Sequence, residues 1–224
     1  MKIRSKGNIL AISDIHAPYH HKHTIEFLVD TARRYKCTEI VDMGDLFDVH
    51  RASRHIPEPE SYGITEELGR ARIFVKELAL AFPKMKIAYG NHDLRIIKVG
   101  KHLGIPAEAI KSPEDLFECP KTWVWAKEHR LDDVIYFHGD GYSGPQGALN
   151  AAINKRASVV IGHIHSFGGV LYQNNGYDRI FGLNTGCLID QNSPAFRYAE
   201  TSKNKATIGC GVVIEGVEAH FIPM

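Results

Sequence analysis

Along the first half of the chain, short apolar runs alternate with longer segments of helical period. Residues 8–13, with the apolar run Ile9-Leu10-Ala11-Ile12 at their centre, predict a buried strand. Over residues 24–35, Ile25, Leu28, Val29 and Ala32 recur on one helical face. Residues 39–43 predict the next strand. A long helix follows over 64–82, with Leu68, Ala71, Ile73, Val75, Leu78 and Leu80 as its apolar positions. Pro83 stops it ahead of a strand at 85–89. This alternation predicts right-handed βαβ units around a parallel sheet.

The period changes in the second half. Strands are predicted at 134–137 and 158–161, flanking a helix from about 146 to 156. Beyond Gly168 the pattern is that of strands only. Asn174-Asn175-Gly176 and Glu215-Gly216 supply turn chemistry between apolar runs. Residues 50–62 contain two prolines and no periodicity, and read as a surface loop. The expectation is one mixed α/β domain over 1–224, with two packed sheets and helices outside.

Composition narrows the classes. The chain has 224 residues, 44% of them hydrophobic and 24% charged, which suits a folded domain with a sizeable core. Lys+Arg number 27 and Asp+Glu 26, so no overall field favours a polyanion and a nucleic-acid coat protein is disfavoured. No run approaches the roughly 18 apolar residues of a membrane span, and the first seven residues lack a signal peptide's apolar region. Cys37, Cys119, Cys187 and Cys210 are scattered without paired spacing; they read as free thiols in a reducing, cytoplasmic compartment. Histidine is the unusual count, at 13.

Five of those histidines sit where predicted strands stop. The five strand ends read Ser13-Asp14-Ile15-His16, Gly44-Asp45-Leu46-Phe47-Asp48, Gly90-Asn91-His92-Asp93, His138-Gly139-Asp140 and Gly162-His163-Ile164-His165. In open α/β sheets, ligand groups collect at the carboxyl ends of strands. D-x-H and H-x-H place two side chains on one side of an extended segment. Gly44, Gly90 and Gly162 would allow close approach of an ion or a phosphate. Any one of these motifs occurs by chance, but their order and shared position do not read as structure alone.

The ordered series D-x-H, G-D-x-x-D, G-N-H-D, H-G, G-H-x-H, running from Asp14 to His165, resembles the calcineurin-like metallophosphoesterase superfamily. The resemblance implies a four-layer αββα sandwich of two mixed sheets flanked by helices, and a two-metal phosphoester hydrolase. Carried onto this sequence, it implies Asp14, His16 and His165 on one metal, Asn91, His138 and His163 on the other, and Asp45 bridging both. A nitrogen and oxygen donor set suits two divalent or trivalent ions, with Mn²⁺ first and Fe, Zn²⁺, Co²⁺ or Ni²⁺ as alternatives. Two ions about 3.5–4 Å apart can share a hydroxide nucleophile and clamp the phosphoryl oxygens. His92 would donate a proton to the leaving alkoxide, with Asp93 orienting its ring or raising its pKa. Asp48 would accept from a ligand histidine such as His16, or else serve as a cap or turn residue.

Departures from the superfamily's patterns bear on substrate. Its protein Ser/Thr phosphatases carry G-D-x-V-D-R-G and G-N-H-E, whereas this chain has Asp48-Val49-His50-Arg51 and Asn91-His92-Asp93, which argues against that activity. Arg51, Arg54 and His55, after the second motif, and Arg95, after the third, are candidate phosphate or nucleotide contacts, or solubilising residues. His20, His21 and His23 read as a solvated loop or a cleft rim. The expectation is a phosphodiesterase acting on a small phosphodiester, a nucleotide or an accessible nucleic-acid end, away from membranes, as a monomer or homodimer. The alternatives are a phosphomonoesterase or pyrophosphohydrolase on the same site, and a non-catalytic metal-binding scaffold.

Overall fold

In the computed structural model, which describes residues 7–53, 60–199 and 203–224, the first βαβ unit is β1 (Asn8–Ile12), α1 (Thr24–Arg34) and β2 (Cys37–Asp42). A short 3-10 turn at His50–Ala52 leads toward α2 (Ile64–Ala81), which returns the chain to β3 (Met85–Ala88). Then come α3 (Arg95–His102), the one-turn α4 (Pro113–Leu116), β4 (Trp123–Ala126), β5 (His129–Leu131) and β6 (Val134–Phe137). The chain continues through α5 (Gly147–Lys155), β7 (Ser158–Ile161), β8 (Gly168–Asn174) and β9 (Arg179–Thr185). A 3-10 segment at Pro194–Ala199 precedes the closing hairpin of β10 (Gly209–Ile214) and β11 (Glu218–Pro223).

Two mixed sheets result. The first has the order β11-β10-β1-β2-β3-β4, parallel from β1 to β4, with β10 antiparallel to β1. The second runs β5-β6-β7-β9-β8, with β6, β7 and β9 parallel and both edge strands antiparallel. Strands buried on both faces explain the unbroken apolar runs. In β1, Leu10 and Ile12 face α1 and α2, while Ile9 and Ala11 face the other sheet. Val134, Tyr136, Val160, Phe181 and Leu183 meet them from the second sheet. On its far side, Ile135, Val159 and Ile161 pack under Ala148, Ala151 and Ala152 of α5. Helices, sheet, sheet and helix make the four layers the resemblance implies.

The helical faces are set by spacing. On α1, Leu28 is fully buried, with Ile25, Val29 and Ala32 packed around it. On α2, the buried stripe is Glu67, Ala71, Phe74, Val75 and Leu78. Each large apolar side chain there contributes about 1.5–3 kcal/mol through burial. Two of the predicted apolar positions fall outside that stripe: Ile73 is 59% and Leu80 88% exposed. Each stands two residues beyond a core position, about 200° round the helix, so hydrophobicity alone misassigned them.

Candidate metal centre

The five polar strand ends do converge. Beyond β1 and β2 the chain leaves the strands but keeps their pairing: the N–H groups of Asp14, His16 and Ala17 donate to the carbonyls of Gly44, Asp45 and Leu46. Asp14, His16, Asp45 and His163 all have φ between 52° and 67°. The paired side chains of D-x-H and H-x-H therefore come together through left-handed turns, not through the two-residue repeat of an extended strand. Such turns are costly for non-glycine residues and concentrate at functional sites. Glycine makes room for them. A Cβ on Gly90 would lie 2.1 Å from Asp45 Oδ1, and one on Gly162 would lie 2.3 Å from Asp14 Oδ2.

Three clusters of potential ligands overlap here: Asp14, His16 and His165; His16, Asp45 and His92; and Asp45, His138 and His163. In the first, His165 Nε2 lies 3.0 Å from Asp14 Oδ1 and 3.3 Å from His16 Nε2. In the last, His138 Nε2 lies 3.2 Å from both Asp45 Oδ2 and His163 Nδ1, and 3.1 Å from Asn91 Oδ1. Asp45 stands between the two groups, its Oδ2 3.9 Å from His16 Nε2. All seven residues expected to hold metal are thus brought together.

The donor chemistry fits cations. His16 Nδ1 donates to Asp48 Oδ1 at 2.7 Å, and His138 Nδ1 to the Met43 carbonyl at 3.0 Å, leaving both Nε2 lone pairs inward. Lone pairs facing one another at these distances repel unless a proton or a cation lies between them. The Asn91 amide poses the same question. Its oxygen faces ring nitrogens and Asp140, whereas the reversed amide would donate to Asp140 Oδ1, His138 Nε2 and His163 Nδ1 at 3.1–3.2 Å. An inward carbonyl oxygen is favourable there when a metal ion is the partner.

Charge says the same. Burial works against ionised Asp14, but the charge of His165 and hydrogen bonds from His16 and His165 hold its carboxyl well below the usual range. Asp45 is likewise held low against burial, chiefly by His138 and His92. In return, carboxylates overcome burial and push His16 and His138 up to about 10. The carboxylates require positive charge among them, supplied by protons when no metal is bound.

Asp48 proves central. Its Oδ1 accepts from His16 Nδ1 and also lies 2.8 Å from His92 Nδ1, so one oxygen holds a ligand and the candidate acid. Asp93, expected to orient His92, does something else. Its carboxylate accepts from the N–H groups of Asp45, Phe47 and Gly90 at 2.9–3.1 Å, tying the second and third motif loops together. Burial and the charge of Asp45 push it up to about 7. The residue beside His92 in sequence is thus turned away from it, because its backbone neighbours claim both oxygens.

Of the candidate substrate contacts, Arg95 reaches the site. Its Nη1 donates to the carbonyls of Asp48 and Val49, and its Nη2 lies 2.8 Å from His92 Nε2. Arg51 instead donates to the carbonyls of Tyr62 and Ser61, closing its own loop. Arg54 and His55 lie outside the described residues. The sequence reading named Asp140 in the fourth strand-end motif but gave it no role; its Oδ1 stands 3.7 Å from His138 Nε2 and 3.9 Å from His163 Nδ1. Its place directly after His138-Gly139 was the available signal. It also missed Tyr142 and Phe196, which wall the cleft above the centre and carry no sequence signature.

Comparisons with known proteins bear on the fold and the family. The solved metallophosphoesterase from Sphaerobacter thermophilus is similar in fold at 14% identity, with 97% of this chain and 88% of that chain covered and a TM-score of 0.52. Yfce, a phosphoesterase from E. coli, is similar at 19% identity, covering 92% and 87% of the two chains with a TM-score of 0.46. No curated protein matches the chain. The family model for calcineurin-like phosphoesterases matches residues 7–182, a span that holds all five strand-end motifs. With that span and its ligands gathered at the strand ends, the chain belongs to the calcineurin-like phosphoesterase family and is a metal-dependent phosphoesterase.

Proposed function

We propose that this protein, acting as the single domain 1–224, hydrolyses phosphodiesters in preference to monoesters. The observation that carries the reading is the convergence of Asp14, His16, Asp45, Asn91, His138, His163 and His165 on one site. Asp14, His16 and His165 would hold one ion, Asn91, His138 and His163 the other, and Asp45 would join them. When bound, the ions supply Lewis acidity toward phosphoryl oxygens and toward the attacking water. Mn²⁺ is the first candidate, since nitrogen and oxygen donors without thiolate suit it.

The chain's own part is to place the phosphate and manage the leaving group. The water oxygen joins phosphorus and releases a proton to solvent, the bond to the leaving oxygen breaks, and a proton from the protein completes the alcohol. His92, whose Nδ1 is held by Asp48, would give that proton from Nε2 once Arg95, whose Nη2 donates to Nε2 at 2.8 Å here, turns from it to the phosphate. Burial depresses the pKa of His92, with the charges of Asp45 and Asp48 opposing it. A phosphate anion beside Nε2 adds to that opposition and favours the protonated ring. Arg95, now against Nε2, is the cation nearest to meet a phosphate oxygen. A dianionic monoester calls for more positive charge than the cleft wall offers, which favours diesters.

Four free cysteines suit a reducing compartment such as the cytoplasm, and among the described residues no helix is long and apolar enough to cross a membrane. The test is turnover of bis-p-nitrophenyl phosphate and p-nitrophenyl phosphate with added Mn²⁺. The diester is expected to give the higher kcat/KM, and Asp45→Asn to abolish turnover of both. Full activity in that variant overturns the two-metal reading; a preference for the monoester overturns the diester reading.

A further inference from the structure

One member of the buried stripe on α2 is out of character there. Glu67 is 1% exposed, an acid in line with Ala71, Phe74, Val75 and Leu78. A buried carboxylate is costly unless donors meet it. Its donors come from the loop after the second motif: Oε1 accepts from the His50 N–H at 2.6 Å, and Oε2 from the Arg51 N–H at 3.4 Å. No step of the proposed reaction uses this group.

The turn it grips is strained. Val49 has φ 51° and ψ 50°, a left-handed conformation that is a true outlier for a β-branched residue. Such a backbone persists only where its surroundings hold it. Arg95 Nη1 holds the carbonyls of Asp48 and Val49, and Glu67 holds the N–H groups of the next two residues. Arg95 is the group proposed to reach for substrate, so Glu67 is the grip that stays. Immediately before Val49 stands Asp48, whose Oδ1 meets both His16 Nδ1 and His92 Nδ1. Its Oδ2 makes no hydrogen bond among the described residues, with His50 Nδ1 3.5 Å away. The aim of the Asp48 carboxylate therefore depends on the backbone that carries it.

We infer that Glu67 is a positioning residue for the reaction: by fixing the turn at 48–50, it keeps Asp48 Oδ1 on the proton donor His92 and on His16. Loss of the grip lets Val49 relax, and Asp48 moves with it. A misplacement of about 1 Å in such a group can cost about 100-fold in rate.

This inference rests on His92 as proton donor in the proposed hydrolysis, and the experiment tells the two failures apart. The full chain with Mn²⁺ is given methyl p-nitrophenyl phosphate, whose leaving group needs little protonation, and methyl phenyl phosphate, whose leaving group needs more. Glu67→Gln keeps an acceptor for one N–H, and Glu67→Ala keeps none. The kcat loss on the phenyl ester should exceed that on the nitrophenyl ester about threefold in Glu67→Gln and about tenfold in Glu67→Ala, with KM within about twofold. Thermal unfolding checks that the variants are folded, and Glu67→Gln alone decides if Glu67→Ala is not. A second readout is the Nδ1–H signals of His16 and His92, by NMR of the histidine-labelled full chain with Zn²⁺, a diamagnetic ion. Both should shift in Glu67→Gln, as in Asp48→Asn, while His220 stays. Equal kcat losses on the two esters, or unmoved Nδ1–H signals, overturn the positioning role and leave the phosphodiester reading intact. Failure of the unaltered chain to hydrolyse either ester overturns the phosphodiester reading, and the Nδ1–H signals then decide the positioning of Asp48 by themselves.

Discussion

The two halves of the metal centre are built differently. On the Asp14 side, Asp14 and His16 are fully buried, His165 is 25% exposed, and the Nδ1 of His16 is fixed by a buried carboxylate, Asp48. On the Asn91 side the first candidate ligand is a neutral amide and His138 is buried, but the side chain of His163 is 37% exposed and the nearby Asp140 is 59% exposed. Burial and charge run together: the closed half carries a carboxylate of its own, and the open half shares Asp45. Binding strength in such sites follows ligand charge and rigidity. The proposed ions should therefore differ, with a tightly held ion beside Asp14 and an exchangeable one beside Asn91.

The sharpest way to break that contrast is to remove one ligand from each half. Asp14→Ala should cost more than about 100-fold in metal affinity, above what an outer partner contributes. His163→Ala should release one ion and keep the other. Metal analysis after dialysis against a weak chelator reads this directly; equal losses in the two variants would remove the asymmetry. A smaller effect is expected from Asp48→Asn, about 10- to 100-fold in affinity for the tighter ion alone. Calorimetric titration with Mn²⁺ checks it, and a uniform loss at both sites would show that Asp48 supports the fold, not a ligand.

The smallest effect concerns the support behind the closed half. His20 packs against Phe74 at 3.9 Å and bridges to Ile189, and burial depresses its pKa to about 4. The unfolded chain binds its proton near pH 6.5, so between pH 6.5 and 4 the unfolded state holds more protons. Stability from this group is complete above pH 6.5 and is lost as pH falls toward 4. The total is on the order of 2 kcal/mol. Urea unfolding at pH 7 and pH 4.5 should show a shallower acid loss in His20→Phe; an unchanged pH slope would exclude His20 as its source.

The same contrast explains what sequence could reveal. The candidate ligands sit directly after apolar runs, because a strand end is where a buried backbone can turn and present polar groups; their convergence was legible for that reason. The geometry that joins them was not. Asp14 and His16 share a side through left-handed turns, which no side-chain period announces. Asp48 and His92 are 44 residues apart, and nothing local links them. Asp93 looked like the partner of His92 by adjacency, yet its oxygens serve Asp45, Phe47 and Gly90. In the fold, both-face burial made β1, β2, β6 and β7 readable as apolar runs. The four-residue edge strand β4 has too little periodicity to register, with Val124 55% exposed. The eight-residue α3 likewise went unread between a motif and a loop.

One carboxylate oxygen, Asp48 Oδ1, touches both His16 and His92. An arrangement of that kind makes catalytic competence a conjunction. A molecule missing the ion proposed at His16 would lack an electrophile, and the proposed proton donor would also lose a fixed neighbour. Activity plotted against metal content should then bend upward instead of rising in a straight line, with half-loaded preparations giving well under half the rate.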